Sequence, residues 1–196
     1  MIWIPLTALL LSQPAGTAQD TPPADLEVAP LTEFETPDAR LNRRLDELAA
    51  AESAAEARPL ASEIHALWAH SGSDTIALLM DRGRAAEEAG NQDIAARMYE
   101  HVVRLEPAYA EGWLAAGRIA AALEDWSYAL ETLNTALTLE PRRYDAYLTV
   151  GRVLERAEAW DAALDAYRQA LEIYPALPAA RDAVERLENA RRGRSL

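Results

Sequence analysis

AEGWLAAGRIAAALEDWSYALETLNTALTLEPRR, residues 110–143, runs without a gap into YDAYLTVGRVLERAEAWDAALDAYRQALEIYPAL, residues 144–177, and the two align position for position. Gly117 answers Gly151, Ala129 answers Ala163, and Pro141 answers Pro175. One period earlier the same marks stand at Gly83, Ala95 and Pro107. Three independent marks in one 34-residue register define a helical solenoid, in which each unit buries its apolar face only by stacking on the next. The expected fold is all-α, an α-α superhelical solenoid of helix pairs.

Working outward, the repeats span residues 76–109, 110–143 and 144–177, each reading helix, short turn, helix, with proline after the second helix. The turns fall at Gly90-Asn91-Gln92, Glu124-Asp125-Trp126 and Glu158-Ala159-Trp160. Residues 178–196 hold a last helix opened by Pro178 and ending in a basic tail; its polar face suits the cap that a solenoid needs to stay soluble. Upstream, Leu41, Leu45 and Leu48 recur at helix spacing as far as Ala51. A second helix is expected from Pro59, a residue tolerated in a first turn, through Ile64, Leu67 and Trp68. Ser71-Gly72-Ser73 closes it, and Ser73 or Asp74 can cap the next.

These residues resemble tetratricopeptide (TPR) repeats, whose pattern places an aromatic, Leu-Gly, an aromatic, Ala, an aromatic, a small residue and Pro at fixed offsets. The second repeat supplies Trp113, Gly117, Ala129, Leu133, Ala136 and Pro141, and the third Tyr147, Gly151, Ala163, Tyr167, Ala170 and Pro175. The first carries Leu79, Gly83, Ala95, Tyr99, Val102 and Pro107. One more step back puts Leu45, Leu48, Ala49 and Ala61 on matching positions, so residues 39–75 read as a degenerate repeat with Ser73 in place of proline. Leu67-Trp68 through Gly83 also resembles small exported bacterial members of the family. Gly83, Gly117 and Gly151 fall mid-helix, where Gly costs about 1 kcal/mol against Ala. They are read as packing residues, with Ala95, Ala129 and Ala163 as the other side of the contact.

Composition narrows the function. The formal charge is −13 and the chain has no Lys, so binding to a phosphate backbone is disfavoured. The absence of Cys removes disulfides and thiolate chemistry. Met1–Leu11 is nearly all apolar and precedes Pro14-Ala15-Gly16-Thr17-Ala18. Such a run is too short to span a bilayer but fits a secretory signal over residues 1–18, cleaved before Gln19. No Arg or Lys precedes it, which is atypical of a signal. A periplasmic or secreted bacterial location is expected, with no membrane span after cleavage. Residues 19–38 carry Pro22, Pro23, Pro30 and Pro37 with six acids and no base, and read as an acidic Pro-rich disordered linker. Leu31 and Phe34 are its apolar handles, and it is a candidate to occupy the groove of its own domain.

Chemistry is sparse. His65, His70 and His101 show no metal spacing, and no phosphate loop or nucleophile elbow occurs. No catalytic residue, cofactor or metal is expected. His65 replaces a packing aromatic of the degenerate repeat, which favours a core role. The residue after each mid-helix Gly is Arg: Arg84, Arg118 and Arg152. The resemblance implies that this position faces the concave groove, so the three form a ladder suited to carboxylates. Local acids offer the competing reading: Asp81, Glu87 and Glu88 near Arg84, and Glu155 near Arg152. Arg118 has no acid within its own helix turn. The expected groove comprises Met80, Arg84, Glu111, Leu114, Arg118, Leu148, Arg152 and Arg156. In the family, a clamp of Lys, Asn and Arg on three first helices holds a C-terminal carboxylate; Met80, Arg84, Ala115, Asp145 and Thr149 stand there instead, which does not support that mode. The expected function is non-catalytic protein–protein interaction with a peptide or helix, possessing acidic and apolar features, as an adaptor or assembly factor. A self-associating structural accessory and an enzyme of unrecognised type are the alternatives.

Overall fold

The computed structural model describes residues 35–194, and among these every regular element is an α-helix. The helices are α1 (Pro37–Ala50), α2 (Ala54–Trp68), α3 (Asp74–Glu88), α4 (Gln92–Leu105), α5 (Ala110–Ala122), α6 (Trp126–Leu139), α7 (Tyr144–Arg156), α8 (Trp160–Ile173) and α9 (Pro178–Arg194). The expected leader and nearly all of the acidic segment lie outside the described residues.

Caps set the starts. The side chains of Thr36, Ser53, Ser73 and Asp125 accept the amides of Ala39, Glu56, Ile76 and Tyr128, satisfying donors that a first turn leaves unpaired. The short turns inside the repeats share one left-handed residue: Gly90 (φ 73°), Glu124 (φ 62°) and Glu158 (φ 59°). Only the first of these is glycine, the residue that takes this conformation without strain.

Helices pack in consecutive antiparallel pairs, α3 with α4, α5 with α6 and α7 with α8, and each pair stacks on the next through α4–α5, α6–α7 and α8–α9. The mid-helix glycines explain the closeness within a pair. A Cβ on Gly83 would lie 2.4 Å from Tyr99 Cε1, one on Gly151 2.5 Å from Tyr167 Cε1, and one on Gly117 2.7 Å from Leu133 Cγ. The opposing atoms therefore belong to Tyr99, Leu133 and Tyr167, not to Ala95, Ala129 and Ala163 as the sequence suggested. Those alanines are fully buried in the same clusters.

The N-terminal part differs from expectation in three ways. Helix α1 begins at Pro37, inside the expected linker, and Glu35 already holds Arg43 at 2.8 Å. Helix α2 begins at Ala54, because Ser53 caps it one turn before Pro59, which then sits inside the helix. Most consequentially, the α1–α2 hairpin does not extend the stack. Helix α2 makes no substantial packing with α3; α1 instead meets α8. Leu45, Leu48, Ile64 and Trp68 share one buried cluster with Tyr144, Ala170, Tyr174 and Ala180. The linking turn supplies the reason. It runs over residues 69–73, one residue longer than the later equivalents 106–109, 140–143 and 174–177, and Gly72 (φ 68°) takes a left-handed conformation near where those turns carry proline.

Candidate functional site

Helices α3, α5, α7 and α9 place an arginine at the same repeat position: Arg84, Arg118, Arg152 and Arg186, each 34 residues from the last. Sequence reasoning stopped at Arg152, although one further step of the same period lands on Arg186. Three of the four have carboxylate partners. Arg84 Nη2 lies 2.5 Å from Asp81 within its own helix. Arg118 Nη2 lies 3.7 Å from Glu87 of α3, the previous first helix. Arg186 pairs with Glu155 of α7, again the previous first helix. Arg152 makes no ion pair among the described residues.

A tyrosine reinforces one of these pairs, and a second tyrosine stands beside another. Tyr167 donates to Glu155 Oε2 at 2.9 Å, and together with the Arg186 guanidinium it holds that carboxyl below the usual range. Tyr99 stands at the equivalent position near Glu87, but its hydroxyl and Glu87 Oε1 are buried without a hydrogen-bond partner; burial first, and Glu87 second, push the hydroxyl well above the ordinary tyrosine value. In the middle repeat both polar positions are apolar. Ala121 stands where Glu87 and Glu155 stand, and Leu133 where Tyr99 and Tyr167 stand.

A cavity of about 440 Å³ opens at this point. Arg118, Ala121 and Ala122 of α5 and Thr149, Arg152, Val153 and Arg156 of α7 line it, together with Glu87, Glu124 and Trp126. The first helices thus present a common face, and three expected site residues, Arg118, Arg152 and Arg156, meet on it. Glu155, expected to neutralise Arg152, is engaged by Arg186 and Tyr167 instead.

The other expected groove residues are elsewhere. Met80 and Leu114 are 3% and 2% exposed. Met80 packs in a cluster with Ala115, Ala116 and Ile119 of α5, and Leu114 in one with Ala146 and Val153 of α7. Burial between their own helix pair and the next makes them core rather than groove. Leu148 is half-buried between the α1–α2 hairpin cluster and that of α9. Glu111 is bound to Arg143, and Arg84 lies away from the cavity.

A second concentration of polar chemistry lies where the α1–α2 hairpin meets the start of α7. Arg143 is fully buried, its guanidinium carbon 4.4 Å from the Trp68 ring centroid. Burial opposes its charge, and Asp145 at 2.8 Å and Glu111 at 2.5 Å outweigh that, holding it protonated. His65 Nε2 and the Tyr144 hydroxyl lie 2.9 Å apart. His65 is therefore a half-exposed surface contact of the hairpin and not the core residue expected. Its cluster is a seam between elements, invisible to a reading along one helix.

Among the described residues, no His, Cys, Asp and Glu cluster could hold a metal ion. No helix there is long and apolar enough to cross a membrane.

Stacked helix pairs around an open, charged inner face define a helical-repeat protein. The tetratricopeptide repeat model matches residues 80–137 and 114–178, and the chain belongs to that family, whose repeats are protein-interaction modules. A comparison with curated proteins finds no match. Among solved structures, the Arabidopsis OM64 TPR domain is similar over 60% of this chain and 97% of its own, with a TM-score of 0.58 and 21% identity. The first TPR of Spaghetti (RPAP3), bound to an HSP90 peptide, covers 60% of this chain and 94% of its own, with a TM-score of 0.58 and 19% identity. The Yersinia enterocolitica chaperone SycD, in complex with a peptide of the translocator YopD, covers 61% and 96%, with a TM-score of 0.57 and 13% identity. At these identities the likeness concerns the fold.

Proposed function

We propose that this chain is a non-catalytic adaptor or assembly factor that holds a peptide segment of a partner protein on the inner face of α5 and α7. One observation carries the reading: the cavity there combines guanidinium groups of Arg118, Arg152 and Arg156 with apolar Ala121, Ala122 and Val153. Apolar walls with a few convergent charged groups are the usual make-up of a recognition site. Two solved neighbours hold peptides, which supports the reading by analogy of fold. The apolar start of the chain supports export, and with it a role among partners of a bacterial envelope.

The test is a random peptide display library selected on the full chain, followed by affinity measurement on variants. Binders should protect α5 and α7 from hydrogen exchange, and Arg118→Glu with Arg156→Glu should weaken them at least tenfold. Peptides that protect only the outer helices α6 and α8, and ignore the charge reversal, overturn the reading.

Self-association is the second reading, and one observation favours it. Leu78 of α3 is 50% exposed, whereas its counterpart Ala146 in the third repeat is fully buried by the preceding helix pair. Ile94 of α4 is 43% exposed. Because α1–α2 sits elsewhere, the α3–α4 end of the stack is open and apolar. Light scattering decides: a concentration-dependent dimer abolished by Leu78→Asp supports this reading, and a monomer at all concentrations rejects it.

A further inference from the structure

We propose that the cavity beside Arg152 is a carboxylate-binding subsite, where an acidic group of the bound peptide takes the place that a repeat glutamate fills on either side. The inference deepens the groove reading above and rests on it.

A first-helix arginine is met by a glutamate of the preceding first helix twice: Arg118 by Glu87 and Arg186 by Glu155. These glutamates share one repeat position, and the tyrosines facing them share another. At the junction between those two, the same geometry delivers Arg152 toward α5, but the answering residue is Ala121 and the tyrosine position holds Leu133. Ala121 and Ala122 remove the side-chain bulk, and the volume appears as the cavity. The outer two junctions are thus closed by internal ion pairs and the middle one is left open with its cation in place.

Electrostatics favours an anion there. Three arginines and two glutamates line the cavity, a net charge of 3 − 2 = +1. Glu87 is already drawn to Arg118 at 3.7 Å, and Glu155, which lies beside Arg152 and Arg156, is held by Arg186, so within the cavity Arg152 and Arg156 are left with Glu124. The chain as a whole carries −13, so a weakly positive pocket within it marks one place where an acidic ligand is not repelled. A guanidinium donates two parallel hydrogen bonds to a carboxylate, which fixes the orientation of the ligand as well as its charge. Trp126 in the lining offers a face for the residue beside the acid. The site shares Thr149 with the clamp positions and differs in resting on Arg152 and Arg156, further along α7, opposite Ala121 of α5.

The decisive variant is Ala121→Glu, which restores the internal pair. Glutamate already occupies this position in the two neighbouring repeats, so the backbone tolerates it. The probes are the library-selected peptides, each also made with its acidic residue changed to Gln and with its C-terminus free or amidated. Ala121→Glu and Arg152→Gln should each weaken binding at least tenfold, while Ala121→Gln, equal in size and uncharged, should leave it within about threefold. The Gln form of the peptide should lose the same factor on the native chain and no more on Arg152→Gln. Loss on amidation alone identifies a terminal carboxylate, and loss on the Gln change a side-chain one. Equal losses for Ala121→Glu and Ala121→Gln indicate simple obstruction and overturn the subsite. Peptides that respond to Arg118→Glu with Arg156→Glu but not to Ala121→Glu overturn the subsite and leave the groove reading standing. A library without any binder overturns both.

Discussion

Gly151 shows how one residue connects packing to the site. Its missing side chain lets the Tyr167 ring lie against α7, and the ring's hydroxyl reaches Glu155, which holds Arg186. Adding a single methyl at Gly151 would place it 2.6 Å from Tyr167 Cδ1 and 2.5 Å from Cε1, so the ring must move. Overpacking costs about 1–3 kcal/mol, which exceeds the gain of about 1 kcal/mol in helix propensity for Gly→Ala. Gly151→Ala should therefore lower the thermal midpoint and weaken the Glu155–Arg186 pair; an unchanged or higher midpoint rejects the close-contact account. The glycines themselves were readable from their spacing. Their partners were not, because a helical side chain points back over the preceding turn and reaches a neighbour that sequence distance alone does not name. The same limit hid the pairing of Arg186 with Glu155, one repeat away, although the period itself reaches Arg186.

At the level of elements, helix α9 is joined to the stack by charge as well as by its small apolar face. Arg186 joins it to Glu155 of α7 and Arg168 of α8 joins Glu188 at 2.8 Å. Because Glu155 has a lowered value in the fold, the folded chain keeps this proton off more readily than the unfolded one. The associated stability is present above the ordinary carboxylate range and is lost as pH falls through the lowered value. Below about pH 4 the protection of α9 against hydrogen exchange should fall before that of α5–α6, and Arg186→Gln should erase the difference. The tyrosines give the opposite limb. Burial raises Tyr109 to about 12, and Tyr99, Tyr144 and Tyr167 are raised further. Their stability is complete below about pH 10 and is lost as pH rises through the raised values. Absorbance at the tyrosinate band should show these four ionising together with loss of helix, later than exposed tyrosine. Helix boundaries within the three repeats followed from proline, glycine and capping residues. The start of α2 did not, because Ser53 inside an alanine-rich run is a quieter signal than Pro59, and the hydrogen bond it makes is visible only in the fold.

For the whole molecule, the period states how many helix pairs there are and is silent on where a degenerate pair comes to rest. Residues 39–75 keep the apolar register of a repeat, yet the hairpin they form is seated on α7, α8 and the turn before α9. Contacts far apart in the chain decide this: Trp68 against Tyr144 and Arg143, Arg142 with Asp46 at 2.7 Å, and the Tyr109 hydroxyl donating to the Ala69 carbonyl at 2.7 Å. None carries a local signature, so the seat could not be read from the sequence. Its energetics should be separable from those of the stack, because α2 has little packing on α3 and the connecting turn around Gly72 meets nothing that would fill space beside it. Trp68 is the anchor, buried among aromatic rings and beneath a guanidinium that two carboxylates hold in place. Removing a buried tryptophan side chain costs about 3–5 kcal/mol. Where that loss is confined to one seam, it lowers the opening free energy of the hairpin alone. Trp68→Ala should therefore speed amide exchange throughout α1 and α2 while α5, α6 and α7 beyond its first turn keep their protection. The inner face around Arg152 should retain its peptide affinity, because no hairpin residue lines that cavity. Uniform acceleration across all helices would instead show that hairpin and stack fold as one cooperative unit.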